Sequence, residues 1–65
     1  MSKEFLEVKT FADAVAKLDT LGADVVDYMD VDGDLIADPD SIPNEAEVRS
    51  FRNISGGIYE VVVRV

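Results

Sequence analysis

The sequence predicts a small α+β domain in which a four-stranded antiparallel sheet carries two helices on one face, in the βαββαβ order of the ferredoxin-like split βαβ arrangement. The chain has 65 residues, of which 48% are hydrophobic, so residues 1–65 form one domain with enough apolar material for a core. Apolar residues alternate with polar ones near both ends of the chain and follow a helical period between them. The alternative topology is βα followed by a four-stranded antiparallel meander.

The first two elements follow from a change of period. Residues 4–9 alternate, with Leu6 and Val8 on one face, which predicts a half-buried strand. Thr10, with an acid three positions later, matches a helix N-cap, and Gly22 suits the left-handed residue that ends a helix. Between them, apolar residues recur at helical spacing, namely Phe11, Ala14, Val15, Leu18 and Leu21.

An acidic β-hairpin is predicted over residues 23–37, because β-forming residues flank Asp32 and Gly33, a pair typical of a two-residue turn. With that turn, Asp27 lies opposite Asp38, and like charges directly opposite destabilise a strand pair. Either the hairpin frays before this point or the turn is longer than two residues. Local conflicts of this kind are expected where a surface binds something.

Residues 43–54 have two interpretations. As a helix, they place Val48, Phe51 and Ile54 on one face, with acids leading and arginines trailing as the helix dipole favours. As a strand, they form a hairpin with the last segment through residues 55–57. The alternation expected of a strand is poor here, so we predict the helix.

The end of the chain, residues 58–65, gives the clearest strand pattern. One face consists of Tyr59, Val61, Val63 and Val65. An aliphatic strand of this kind pairs inside the domain, or its edge recruits another chain. The second outcome would make the protein a structural or assembly subunit, with this strand as its homodimer contact.

The composition limits the chemistry. Without Cys or His, the chain has neither a disulfide framework nor the usual ligands of a structural zinc site. It also lacks the side chain most used for acid–base work near neutral pH and the strongest natural nucleophile. We therefore expect a protein that is not an enzyme and has no cofactor.

The same composition bears on location. No apolar run approaches the roughly 20 residues of a membrane-spanning helix. The polar start Met1-Ser2-Lys3-Glu4 differs from a secretory signal. We expect a cytoplasmic protein without membrane contact.

The charge of the chain is concentrated. Residues 18–48 contain ten carboxylates and no basic residue, and the net charge of the whole chain is -8. A localised field of this kind indicates a basic partner. The candidate partner-binding residues are Asp24, Asp27, Tyr28, Asp30, Asp32, Asp34, Asp38 and Asp40. An exposed tyrosine ringed by carboxylates would suit the centre of an interface.

Two functions of the acidic hairpin follow from this charge. Carboxylates on one face of an extended strand, about 6.5 Å apart, imitate a phosphate backbone, as in a phage or mobile-element inhibitor of a nucleic-acid-binding protein. Direct nucleic-acid binding is disfavoured, because phosphate contacts need clustered basic residues. An equally weighted alternative is that the acids only solubilise the protein or adapt it to salt.

A weak calcium site is the remaining alternative, with Asp30, Asp32 and Asp34 as candidate ligands. No register of the helix–loop–helix calcium pattern fits. With Asp30 at position 1, Leu35 takes the place of the glycine and Ser41 that of the bidentate glutamate. An acidic turn without a metal is the preferred interpretation.

Overall fold

The computed structural model describes residues 3–65 as a small α+β domain with an α-helix on a mixed sheet. Three long strands form the sheet, and a two-residue strand extends it at one edge. In chain order the elements are β1 (Lys3–Glu4), α1 (Phe11–Leu21), β2 (Val25–Asp30), a 3-10 turn (Pro39–Ser41), β3 (Glu47–Ser55) and β4 (Ile58–Arg64). The predicted α+β class is confirmed.

The strand order β1-β3-β4-β2 places β4 inside the sheet and β2 at an edge. β3 is antiparallel to both β1 and β4, whereas β2 is parallel to β4. This parallel pair departs from both predicted topologies, because each has antiparallel neighbours throughout. The parallel direction of β2 follows from α1, which carries the chain across one face of the sheet before β2 begins.

The predicted helix is confirmed together with its two ends. Thr10 Oγ1 accepts the backbone N–H of Asp13 at 3.2 Å, and Asp13 Oδ2 accepts the backbone N–H of Thr10 at 3.3 Å. This capping box satisfies two donors that the first helical turn leaves free. Gly22 ends α1 with a φ of 66°, a conformation that glycine adopts without a steric penalty.

The predicted second helix is wrong, because residues 47–55 form strand β3 and turn through residues 56 and 57 into β4. The pairing of β3 with β4 shifts register between Val48 and Ser50, which leaves one extra residue on β3. This bulge lets Val48 and Phe51 both contact the core. A second shift follows Asn53. The helix-like spacing therefore arises from irregularities in a strand.

The first strand is shorter than predicted and faces a different way. A turn at residues 6 and 7 follows β1, so that Phe5 and Val8 are buried while Leu6 is 71% exposed. The prediction that Leu6 and Val8 share a face is wrong. The rings of Phe5 and Phe51 meet edge to face with their centroids 5.2 Å apart. This contact between two distant segments of the chain holds Phe5 toward the core.

The C-terminal strand is confirmed as an element, and it lies at the centre of the sheet. Tyr59, Val61 and Val63 are buried, and they form one core with Phe51 and the inward residues of α1. The strand ends at Arg64, so Val65 does not extend this buried face. Since β3 and β2 occupy both edges of β4, the predicted homodimer contact through an edge of this strand has no free edge to use.

The helix of residues 11–21 is too short to cross a membrane. Residues 3–65 contain no other helix that is long and apolar enough to do so. The prediction that the start of the chain differs from a secretory signal rests partly on residues 1 and 2, which lie outside the described residues.

The β3 assignment makes a prediction that the helix would not make. Phe51 is 1% exposed and Ile54 is 38% exposed, although a helix would place both on one buried face. Phe51→Ala should reduce the free energy of unfolding by about 3–5 kcal/mol, while the control Ile54→Ala should cost well under half of that. Urea unfolding followed by circular dichroism measures both, and similar losses for the two variants would contradict β3.

Candidate functional site

The acidic segment, residues 24–40, turns around Asp30. Asp30 Oδ1 accepts the backbone N–H groups of Asp32 and Asp34 at 2.9 and 3.0 Å. The Asp30 carbonyl accepts the N–H of Gly33 at 3.0 Å, and the Asp30 N–H donates to the Asp34 carbonyl at 2.9 Å. Gly33 has a φ of 90°, which completes a three-residue loop of the type that contains a left-handed glycine. The turn is thus one residue longer than the predicted two-residue turn.

The longer turn sets a different register for the returning chain. Leu35 lies opposite Met29, and the Ile36 N–H donates to the Tyr28 carbonyl at 2.8 Å. In this register Asp27 no longer lies opposite Asp38, so the predicted clash of like charges is absent. The pairing ends there, and the predicted returning strand over residues 34–37 is reduced to an isolated bridge.

A second carboxylate shapes the end of the acidic segment. Asp38 Oδ1 accepts the backbone N–H of Asp40 at 3.2 Å, and Pro39 begins the 3-10 turn. Ile42, which follows, is buried in the core and anchors the loop. The segment between strand β2 and this anchor is therefore fixed by its own aspartates and by the apolar contacts of Ile36 and Ile42 with the core.

The structure separates the predicted aspartates into two groups. Asp30 and Asp38 hold backbone N–H groups, as described above. The other five carboxylates accept no hydrogen bond from residues 3–65, and all five residues are exposed: Asp24, Asp27, Asp32, Asp34 and Asp40. These five are free to contact a partner.

Four cations of the described chain form ion pairs outside the acidic segment. Every ion pair among the described side chains has a glutamate as its anion, and the pairs are Lys17–Glu7, Arg49–Glu47, Arg52–Glu60 and Arg64–Glu47. None of the seven aspartates of the acidic segment belongs to such a pair. The field of the acidic segment is therefore not neutralised by these cations.

The apolar part of the surface is not the one that the sequence suggested. Tyr28 is half-buried, and its ring packs edge to face on Phe11 with a centroid distance of 5.5 Å. It is thus not the exposed tyrosine that the predicted interface required. Val31 and Leu35 are 50% and 68% exposed. Both lie inside the acidic segment. Sequence reasoning missed their exposure because it predicted a two-residue turn where the loop has three residues.

The predicted row of carboxylates along a strand is also altered. β2 ends at Asp30, and Asp32 lies in the turn, so these two do not follow one extended face. The carboxylates instead surround a loop. Within residues 3–65 no group of three or more acidic side chains is placed to hold a metal ion, and the calcium candidates Asp30, Asp32 and Asp34 do not form one.

Comparisons with protein-family models, with curated proteins and with solved structures give no match to this chain. The interpretation of the acidic segment accordingly depends on its own geometry and charge.

The turn around Asp30 is testable by removing its carboxylate. Asp30→Ala leaves two backbone N–H groups without their acceptor and should cost about 1 kcal/mol of stability. Asp30→Asn keeps an acceptor oxygen and should stay close to the parent protein, as should the control Asp32→Ala. Hydrogen exchange at residues 32 and 34 measures the effect directly. Unchanged exchange in Asp30→Ala would contradict the role of this carboxylate.

The packing of Tyr28 predicts an effect at alkaline pH. Burial raises the pKa of Tyr28 above its ordinary value of about 10. The folded state therefore favours the neutral phenol of Tyr28. The stability that this preference contributes is fully present below the pKa of Tyr28 in the unfolded chain, and it is lost as the pH rises through the higher pKa in the folded protein. Tyr28→Phe should show a smaller loss of stability above about pH 10 than the parent. Urea unfolding at pH 8 and at pH 11 checks this, and an identical decline in both proteins would contradict it.

Proposed function

We propose that this protein is a small non-enzymatic binding domain whose acidic segment docks on a basic surface of a partner protein. The observation that carries the proposal is the separation of charges. The four described cations that form ion pairs do so with glutamates, whereas the aspartates of residues 24–40 form no ion pair with a described cation. A cytoplasmic location belongs to the same proposal.

Electrostatics would act mainly on the rate of association. Screening at physiological salt has a length of about 8 Å, so neighbouring carboxylates on one loop act together on an approaching basic surface. The net charge of -8 adds attraction at longer range. The expected partner associates quickly at low salt and more slowly as salt rises.

Apolar contacts are needed for affinity, because solvent-exposed ion pairs contribute only about 0–1 kcal/mol each. Val31 and Leu35 provide such contacts at the tip and on the returning side of the loop. Their side chains lie among the aspartates along the chain, so one partner surface is able to cover both.

In a narrower form of the proposal, the protein is an inhibitor that occupies the nucleic-acid-binding site of its partner. Inhibitors of this kind would be encoded by phages or mobile elements. The support is the charge alone, since the carboxylates surround a loop and do not form the straight row that a strand would give. Competition with duplex DNA for the partner separates this form from general protein binding.

Charge reversal at residues without a structural role tests the proposal. Asp32→Lys, Asp34→Lys and Asp40→Lys together should leave the fold intact, because these side chains hold no hydrogen bond in the described structure. A partner captured from the native host at low salt and released at high salt should bind this triple variant at least about tenfold more weakly, or about 1.4 kcal/mol.

The matched control reverses three exposed acids outside the acidic segment, Glu4, Asp19 and Glu45, and so changes the net charge by the same amount. It should retain most of the affinity. Equal losses in both variants would show that only the total charge matters. An unchanged affinity in the acidic-segment variant would contradict the proposal, and the solubility explanation would then be preferred.

A further inference from the structure

Strand β2 is an edge strand that is only half covered. Its one neighbour in the sheet is β4. On the other side, the Asp30 N–H donates to the Asp34 carbonyl and the Tyr28 carbonyl accepts the N–H of Ile36, so Asp30 and Tyr28 direct their backbone groups outward. The Val25 N–H donates to the Gly57 carbonyl at 3.2 Å. Val25 and every second residue after it in β2 therefore direct their backbone groups toward β4.

The same alternation directs the N–H and C=O of Val26 outward. Within residues 3–65 these two groups have no hydrogen-bond partner, and neither has the N–H of Tyr28. The returning chain leaves the edge at Ile36 and enters the turn that Pro39 begins. The N–H and C=O of Val26 are therefore available beyond the point where the chain departs, whereas Tyr28 lies opposite Ile36.

We propose that an extended basic segment of a partner protein adds to the free edge of β2 as an antiparallel strand opposite residues 24–27. It would continue the line of the returning chain beyond Ile36, and its backbone would satisfy the two open groups of Val26. This inference gives the binding mode of the proposed function and rests on it for the charge of the partner.

The charges decide between a partner and a second copy of this chain. Two β2 edges pairing antiparallel would bring Asp24 and Asp27 of one copy near the same residues of the other, and like charges opposite each other are destabilising. Each copy also carries a net charge of -8. A segment with Lys or Arg opposite Asp27 has the reverse effect.

The alternation of β2 also gives the pattern of the incoming segment. Asp27 and Val25 lie on the same face of the strand, and Val25 is 50% exposed. Running antiparallel, the segment places a basic residue opposite Asp27, an apolar residue two positions later opposite Val25, and a further basic residue opposite Asp24. The recognised pattern is therefore basic-x-apolar-basic.

The probe for this inference is the synthetic peptide acetyl-KTVKT-amide, which places its first Lys opposite Asp27 and its Val opposite Val25. Two N-methylated forms are compared with it. Methylation at the second residue removes the N–H that faces the Val26 carbonyl, whereas methylation at the third residue alters an N–H that points away from β2. Both forms have the same charge and composition.

The second-residue methyl should weaken binding by about tenfold or more, and the third-residue methyl should change it less than about threefold. Titration of the protein followed by nuclear magnetic resonance measures the affinities. Hydrogen exchange should slow at the amide of Val26 when the unmodified peptide binds. The control amide is that of Asp27, which already faces β4.

The outcomes separate this inference from the function on which it rests. Equal binding of the two methylated peptides, without protection of the Val26 amide, overturns strand addition and leaves acidic docking intact. Failure of the unmodified peptide to bind at millimolar concentration also overturns strand addition. If the peptide binds at the edge but Asp27→Asn leaves its affinity unchanged, the basic character of the segment is wrong although the edge is receptive.

Discussion

The burial of β4 is the constraint on which the rest of the structure depends. Val61 and Val63 have no exposed surface, and they share one core with Phe51 of β3 and the inward residues of α1. A chain of this size without a disulfide has little besides this layer to offset the entropy of folding. Because β4 has neighbours on both sides, β1 and β2 become the edges. The acidic segment then extends from the edge that β2 forms.

Features that depend on neighbouring residues were predictable from the sequence. The capping box at Thr10, the left-handed Gly22 and the alternation of the last strand are of this kind, and the structure has all three. Features that depend on distant partners were not. The bulge beside Val48 arises in the pairing of β3 with β4, and it removes the alternation that identifies a strand. The inward turn of Phe5 depends on Phe51, which lies at the other end of the chain.

The same distinction applies to the candidate site. The sequence located the carboxylates, because aspartate clusters around a glycine turn are visible without a structure. It did not show that Tyr28 packs on Phe11, since that contact joins β2 to α1. Aspartates and glutamates also contact different groups, because their side chains differ in length. The short Asp30 and Asp38 side chains reach their own backbone, whereas the longer Glu47 and Glu60 side chains reach arginines on a neighbouring strand.

The parallel pairing of β2 with β4 has a consequence for the order of folding. The turn at residues 56 and 57 joins β3 and β4 locally, so this hairpin closes a short loop. The pairing of β2 closes a loop that contains the rest of the acidic segment and all of β3, which costs more entropy. We therefore expect β2 to join the sheet after the β3–β4 hairpin has formed and to leave it before that hairpin opens. Loss of this strand would separate the acidic segment from a hairpin that stays paired, so the proposed binding surface would exist only while β2 is paired with β4.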